Sequence, residues 1–140
     1  MKSIKVILID DNDPFRMALK NVLVNKFAVD IIGEASNGAN FQKLTNLHLS
    51  DVILMDIMMP DTDGITLTKK ALWTLPSLKF IAITMHYDKV YLTTLMGAGF
   101  RGCVFKSNIF SEIAEAIHTV VEGRLYFPKD ILLDTQKHRT

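Results

Sequence analysis

The 140 residues carry a formal charge of +1, with 49% hydrophobic and 22% charged side chains. That balance excludes a disordered chain and gives no general pull toward nucleic acid or an anionic membrane. At this length one domain with a real core is expected.

Residues 4–9 are almost continuously apolar, as a strand covered on both faces must be, and predict β1. Asp13-Pro14 reads as a helix start, with Asp13 as N-cap and Pro14 in the first turn. Phe15, Ala18, Leu19, Val22 and Leu23 follow at helical spacing and mark α1, 13–23. A second short strand, β2, is predicted over 29–32 and broken by Asn37-Gly38; Phe41, Leu44 and Leu47 mark α2, 41–47. β3 is predicted over 52–55 and ends at Asp56. The run from Met59 to Gly64 is dense in turn formers. Leu67, Ala71 and Leu75 mark α3, 67–75, which Pro76 stops. β4, 80–83, ends at Thr84; Thr93 and Thr94 dilute α4, 87–96. Gly97, Gly99 and Gly102 lead into a short β5, 103–105, ending at Lys106. Ile113, Ile117, Val120 and Val121 stripe α5, 113–121, closed by Gly123.

Such alternation is (βα)5: a doubly wound α/β fold whose parallel sheet carries helices on both faces, since right-handed crossovers pack no other way. Four of the five strands end in chemistry: Asp10 and Asp11, Asp56, Thr84, and Lys106. Ligands of open α/β sheets bind beyond the carboxyl ends of the strands. In the flavodoxin-like order 2-1-3-4-5, β1 and β3 are neighbours ~5 Å apart, and the three aspartates crowd one volume. Two carboxylates ~4 Å apart repel by roughly 4 kcal/mol at an effective dielectric of 20. A hard divalent cation, Mg2+ first among them, relieves this. Asp56 then becomes a candidate nucleophile toward phosphorus. Lys106 can meet the incoming phosphoryl group as a point charge, and Thr84 can donate a hydroxyl to another oxygen.

These residues resemble the receiver domain of two-component response regulators: the acidic pair Asp10-Asp11, the run Asp56-Ile57-Met58-Met59-Pro60 with Asp63-Gly64, then Thr84 and Lys106. The likeness spans roughly residues 4–123, and the strand order is carried by it rather than by spacing. It implies that Asp56 accepts a phosphoryl group from a sensor histidine kinase or phosphotransfer protein. It implies Mg2+ held by Asp11, Asp56 and the Met58 backbone carbonyl, with Asp10 acting through water. Thr84 and Lys106 would engage the phosphoryl oxygens, and the α4-β5-α5 face would shift between two packings. Met58 and His86 stand where such proteins tune dephosphorylation, and Met85, where many receivers have a small residue, is expected to cover the site in part and slow attack by water. Apart from its own phosphorylation and dephosphorylation, no enzymatic activity is implied. Thr84-Met85-His86 and Gly123-Arg124-Leu125-Tyr126-Phe127 are similar to the LuxR/NarL-type subgroup, whose helix-turn-helix output domain would contact DNA. The receiver is expected over 1–125. Residues 126–140 are expected to be a C-terminal extension or the start of a linker to an output domain absent from this chain. Homodimers through α4-β5-α5 or α1-α5 are both open.

Two positions depart from the pattern: Cys103 replaces the usual aromatic three residues before the lysine, and Ser107 replaces the proline after it. A trans Lys106–Ser107 bond is therefore expected, and Phe100, Phe105 or Tyr87 are left to replace the aromatic. Cys103 is lone, which excludes an internal disulfide and fits a reducing cytoplasm; it reads as a small strand residue. No apolar run approaches the ~18 residues of a membrane span, and the stretch after Met1-Lys2-Ser3 is too short for a signal peptide. A cytoplasmic location without membrane contact is expected. Asp63 reads as turn chemistry, Trp73 as packing or partly exposed surface, and His48, His118 and His138 as surface. Two other functions compete. A haloacid-dehalogenase-type phosphohydrolase would use Asp11-Asn12-Asp13, although Phe15 departs from that motif. A phosphorylation-independent interaction module would keep the fold alone.

Overall fold

A computed structural model describes residues 3–85 and 88–128 of the chain. Readings on His86 and Tyr87, and on residues 129–140, lie outside the described residues. One sheet holds β1 (Lys5–Ile9), β2 (Asp30–Ala35), β3 (Val52–Asp56), β4 (Phe80–Thr84) and β5 (Gly102–Phe105). All four pairings are parallel and the order is β2-β1-β3-β4-β5, as the resemblance implied. The helices are α1 (Asp13–Phe27), α2 (Gly38–Gln42), α3 (Gly64–Thr74), α4 (Lys89–Gly97) and α5 (Ile109–Val121).

Strand alternation divides the core into two layers. Ile7, Ile9, Ile53, Met55, Phe80, Ala82 and Cys103 point to one side, where Phe41, Leu67, Leu92 and Leu95 of α2, α3 and α4 cover them. Val6, Leu8, Val52, Leu54, Ile81, Ile83 and Val104 point to the other, under Leu19 and Leu23 of α1 and Ile113, Ile117 and Val120 of α5. Burying each large side chain contributes roughly 1.5–3 kcal/mol, and truncating a central one such as Leu54 to alanine would cost ~2–5 kcal/mol. The continuous apolar runs are thus the signature of a sheet covered twice.

Register puts the polar strand ends in one row. Ile9 pairs with Met55, Asp56 with Ile83, and Thr84 with Phe105. Asp10 follows β1, Asp56 and Thr84 close β3 and β4, and Lys106 follows β5.

Several boundaries differ from those predicted. Asn12, not Asp13, caps α1: its extended backbone lets Oδ1 accept the Phe15 N–H at 3.0 Å. Asp13 becomes the first helical residue, where its charge meets the positive end of the helix dipole. β2 runs on to Ala35 because its pairing with β1 resumes after a register shift between Val6 and Ile7. The second helix is a short turn capped by Asn37, followed by a 3-10 turn at Leu47–Leu49. There the Asn46 side chain donates to the Ile32 carbonyl at 3.0 Å, holding the chain against β2 in place of a continued helix. Leu44 and Leu47 still reach the core, from irregular backbone.

Tyr126 and Phe127, the first residues of the expected extension, join the body. Tyr126 N donates to the Arg101 carbonyl at 3.0 Å, its carbonyl accepts from Cys103 N at 2.9 Å, and its hydroxyl reaches Glu112 Oε1 at 3.0 Å. They cover the outer edge of β5, which would otherwise be open for pairing. Among the described residues no peptide bond is cis, so Lys106–Ser107 is trans as expected. No described helix is long and apolar enough to cross a membrane.

Candidate functional site

Asp10 is hydrogen-bonded at its main-chain N–H and carbonyl and at Oδ1, while Oδ2 has only an ion pair. Its N–H donates to Ala35 O at 3.1 Å, and its carbonyl accepts from Arg16 at 2.7 Å. Oδ1 accepts from Asn12 N at 2.9 Å, and Oδ2 faces the Lys106 ammonium at 3.2 Å. The residue is buried, whereas Asp11 beside it is exposed.

Asp56 ends the central strand, buried, with Oδ1 accepting the Met58 N–H at 3.2 Å. One carboxylate oxygen from each of Asp10, Asp11 and Asp56 lies within 4.8 Å of the others. The Oδ2 atoms of Asp10 and Asp56 are buried without a hydrogen bond, and Lys106 Nζ stands 3.8 Å from the latter. Burial pushes the Asp56 carboxyl up to about 7; the charge of Asp10 and a hydrogen bond with Asp11 push the same way, against Lys106 and Met58. An acid so placed is short of positive charge. Two orphaned buried oxygens and a third, exposed carboxylate form an all-oxygen donor set suited to a hard divalent cation that keeps some of its water.

The loop after β3 is built around this acid. Gly64 N donates to Ile57 O at 2.8 Å, and a Cβ on Gly64 would collide with the Asp56 carbonyl. Asp63 caps α3, accepting Thr66 N at 2.7 Å, so it has a structural duty in line with turn chemistry. Asp61 reaches across to cap α2 through the N–H groups of Gly38 and Ala39.

Thr84 is buried at the end of β4 and shares a side-chain hydrogen bond with Tyr91 of α4. Lys106 crosses the mouth with its ammonium 4.7 Å from the centre of the Phe15 ring. Cys103 is buried, and its thiol is pushed up to about 12, chiefly by burial and then by Glu112; it is an inert strand residue. Met58 and Met85 are exposed beside the site, and the exposure of Trp73 is 90%, which excludes packing.

Of the five principal residues read from the sequence, Asp10, Asp11, Asp56 and Lys106 converge, and Thr84 ends the strand next to that of Asp56. Two contributors were not legible in the sequence. Arg16 shows only an i, i+3 pairing with Asp13, which says nothing of its bond to Asp10. Tyr91 lies in the weakest predicted helix, and only the packing of α4 brings it to Thr84.

A family model described as "Response regulator receiver domain" matches residues 6–118. The transcriptional regulatory protein DegU of Brevibacillus brevis is 29% identical over 123 residues, covering 88% of this chain and 52% of DegU. The response regulator GacA of Pseudomonas aeruginosa is 32% identical over 128 residues, covering 91% of this chain and 60% of GacA. The chain spans half to three-fifths of the length of these two relatives. A LuxR-family two-component response regulator from Aurantimonas sp. SI85-9A1 superposes with a TM-score of 0.85 at 22% identity, over 99% of each chain, a likeness of fold.

Proposed function

The chain belongs to the response regulator receiver family, and from that premise we propose that it is a phosphorylation-activated signalling switch with Asp56 as its phosphoacceptor. The observation that carries the reading is the state of that carboxylate: central, buried, without a hydrogen bond at Oδ2, and gathered with two further acids.

The phosphoryl donor is the phosphohistidine of a sensor histidine kinase or phosphotransfer protein. An ionised Asp56 oxygen attacks phosphorus, the O–P bond forms as the P–N bond breaks, and the electron pair stays on the imidazole nitrogen, which takes up a proton. Asp11, Asp56 and the Met58 carbonyl would hold Mg2+, with Asp10 bound through water. When bound, that ion offsets the crowded negative charge and draws phosphoryl oxygens toward the nucleophile. Lys106 moves from its resting place between Asp10 and Asp56 onto a phosphoryl oxygen, and Thr84 donates its hydroxyl to another. Both contacts exist only in the phosphorylated state, so they bias the α4-β5-α5 face toward a second packing.

Control of transcription is the output suggested by DegU and GacA. Residues 1–125 are then the receiver, and 126–140, whose first two residues pack on its body, an extension or the start of a linker to a helix-turn-helix domain that makes the DNA contact. A cytoplasmic location and homodimerisation through α4-β5-α5 or α1-α5 complete the reading. Met58, Met85 and His86 would set the lifetime of the phosphoryl group. The phosphohydrolase alternative loses support from Asp13, which is exposed and paired with Arg16 at 2.8 Å.

Treatment with acetyl phosphate and Mg2+ followed by intact mass measurement tests the proposal. One phosphoryl group is expected on wild type and none on Asp56→Asn. A wild type left unmodified where a known receiver labels fully would defeat the reading and favour a phosphorylation-independent module.

A further inference from the structure

We infer that Arg16 is a positioning residue of the acid pocket, whose guanidinium ties the Asp10 carbonyl to Glu34 of β2 and thereby sets how Asp10 and Asp11 present their carboxylates to a divalent cation. The inference rests on the metal-binding part of the reading above.

Three acceptors from three places meet at this one side chain. Nη1 donates to the Asp10 carbonyl at 2.7 Å and lies 2.8 Å from Asp13 Oδ1, while Nε donates to Glu34 Oε1 at 3.1 Å. Lys20 Nζ holds the other oxygen of Glu34 at 2.7 Å. Glu34 is itself fixed in the sheet, opposite Leu8 of β1. An ordinary surface pair between Arg16 and Asp13 would contribute little. This side chain is instead only 14% exposed and spends a donor on a main-chain carbonyl.

The choice of carbonyl matters. The Asp10 carbonyl and the Asp11 N–H belong to one planar peptide unit, so fixing the carbonyl direction fixes that plane. Both acidic side chains branch from the α-carbons at its two ends. A single bond from Arg16 therefore orients the pair together, including the exposed Asp11, whose side chain lacks the burial that holds Asp10. A lysine at position 16 would bring the charge without the rigid fork that reaches several acceptors at once.

Backbone amide shifts during Mg2+ titration, in the absence of any phosphodonor, test the inference. Loss of an outer partner that orients metal ligands typically weakens affinity by about 10–100-fold. Arg16→Gln is expected at the low end of that range, with Arg16→Lys recovering part of the loss. At saturating Mg2+, acetyl phosphate labelling of Arg16→Gln should return to within about threefold of wild type, since the chemistry at Asp56 is untouched. Wild-type Mg2+ affinity in Arg16→Gln overturns the inference. So does a labelling defect that saturating Mg2+ leaves in place, because a structural lesion would give that result. Should Arg16→Gln fail to fold, Glu34→Ala keeps the guanidinium but removes the acceptor that tethers it, and undiminished Mg2+ affinity there is equally fatal. A wild type that binds Mg2+ yet never labels would sink the phosphoacceptor reading while leaving the role of Arg16 intact.

Discussion

The Lys106 ammonium rests nearer to Asp10 Oδ2, at 3.2 Å, than to Asp56 Oδ2, at 3.8 Å. In this arrangement the lysine serves as counter-charge to the acid pair, occupying space a divalent cation would share. Lys106→Ala is therefore expected to bind Mg2+ no more weakly than wild type, since a competing positive charge has gone. It should lose the conformational response that follows phosphorylation. Amide spectra recorded with beryllofluoride give the check: a mutant pattern identical to that of wild type would refute the role of Lys106.

Asp56 makes stability depend on pH with a definite sign. Its folded value, about 7, lies above its ordinary 3.8. Between about pH 4 and 7 the folded chain keeps a proton that the unfolded chain releases, so this residue's contribution to stability falls as pH rises through that window. Metal-free wild type should melt lower at pH 8 than at pH 5. Asp56→Asn removes the buried charge and should be more stable at pH 8 by about 1–3 kcal/mol, with a smaller gap at pH 5. Mg2+ should narrow the gap at pH 8. Equal melting of the two proteins at pH 8 without metal would contradict the strained-acid picture.

Tyr91 joins the site to α4. Its backbone N–H is capped by Asp88 at 2.9 Å, and its ring packs against the cluster that contains Cys103. The phenol meets Thr84, the residue assigned to a phosphoryl oxygen. Tyr91→Phe keeps the ring and deletes the bond, which should cost about 0.5–1.5 kcal/mol. Labelling of Asp56 should be preserved while the response of α4 amides to beryllofluoride shrinks. An unchanged α4 response would show that Thr84 acts without the tyrosine.

Gly64 is a steric test of the loop. A methyl there meets the Asp56 carbonyl, the Met55 side chain and the Ile57 backbone together, two of them rigid. Gly64→Ala should destabilise by about 1–3 kcal/mol and slow labelling, because the strand end carrying Asp56, the proposed nucleophile, has to shift. Urea midpoints and acetyl phosphate kinetics measured on one preparation settle both parts; a neutral substitution would mean that the loop relaxes freely.

Much of this was written in one dimension. A strand covered on both faces must be apolar throughout, so β1, β3 and β4 were visible as runs, and the first polar residue after each marked its end. Asp10, Asp11, Asp56, Thr84 and Lys106 were legible for that reason: their positions follow from strand length, and parallel register then lines them up. Helix edges were less secure, since Asn12 and Asp13 are both competent caps and only the extended backbone of Asn12 selects between them.

Local pattern failed where partners came from far along the chain. Leu44 and Leu47 kept helical spacing, yet the bond from Asn46 to Ile32 replaced helix with turns. Nothing adjacent to Arg16 announces Glu34, eighteen residues on, and nothing beside Tyr91 announces Thr84. Side-chain periodicity reports which face of an element is buried, a property each segment carries by itself. Which polar groups then meet depends on register and crossover packing, and those exist only once the whole sheet has assembled.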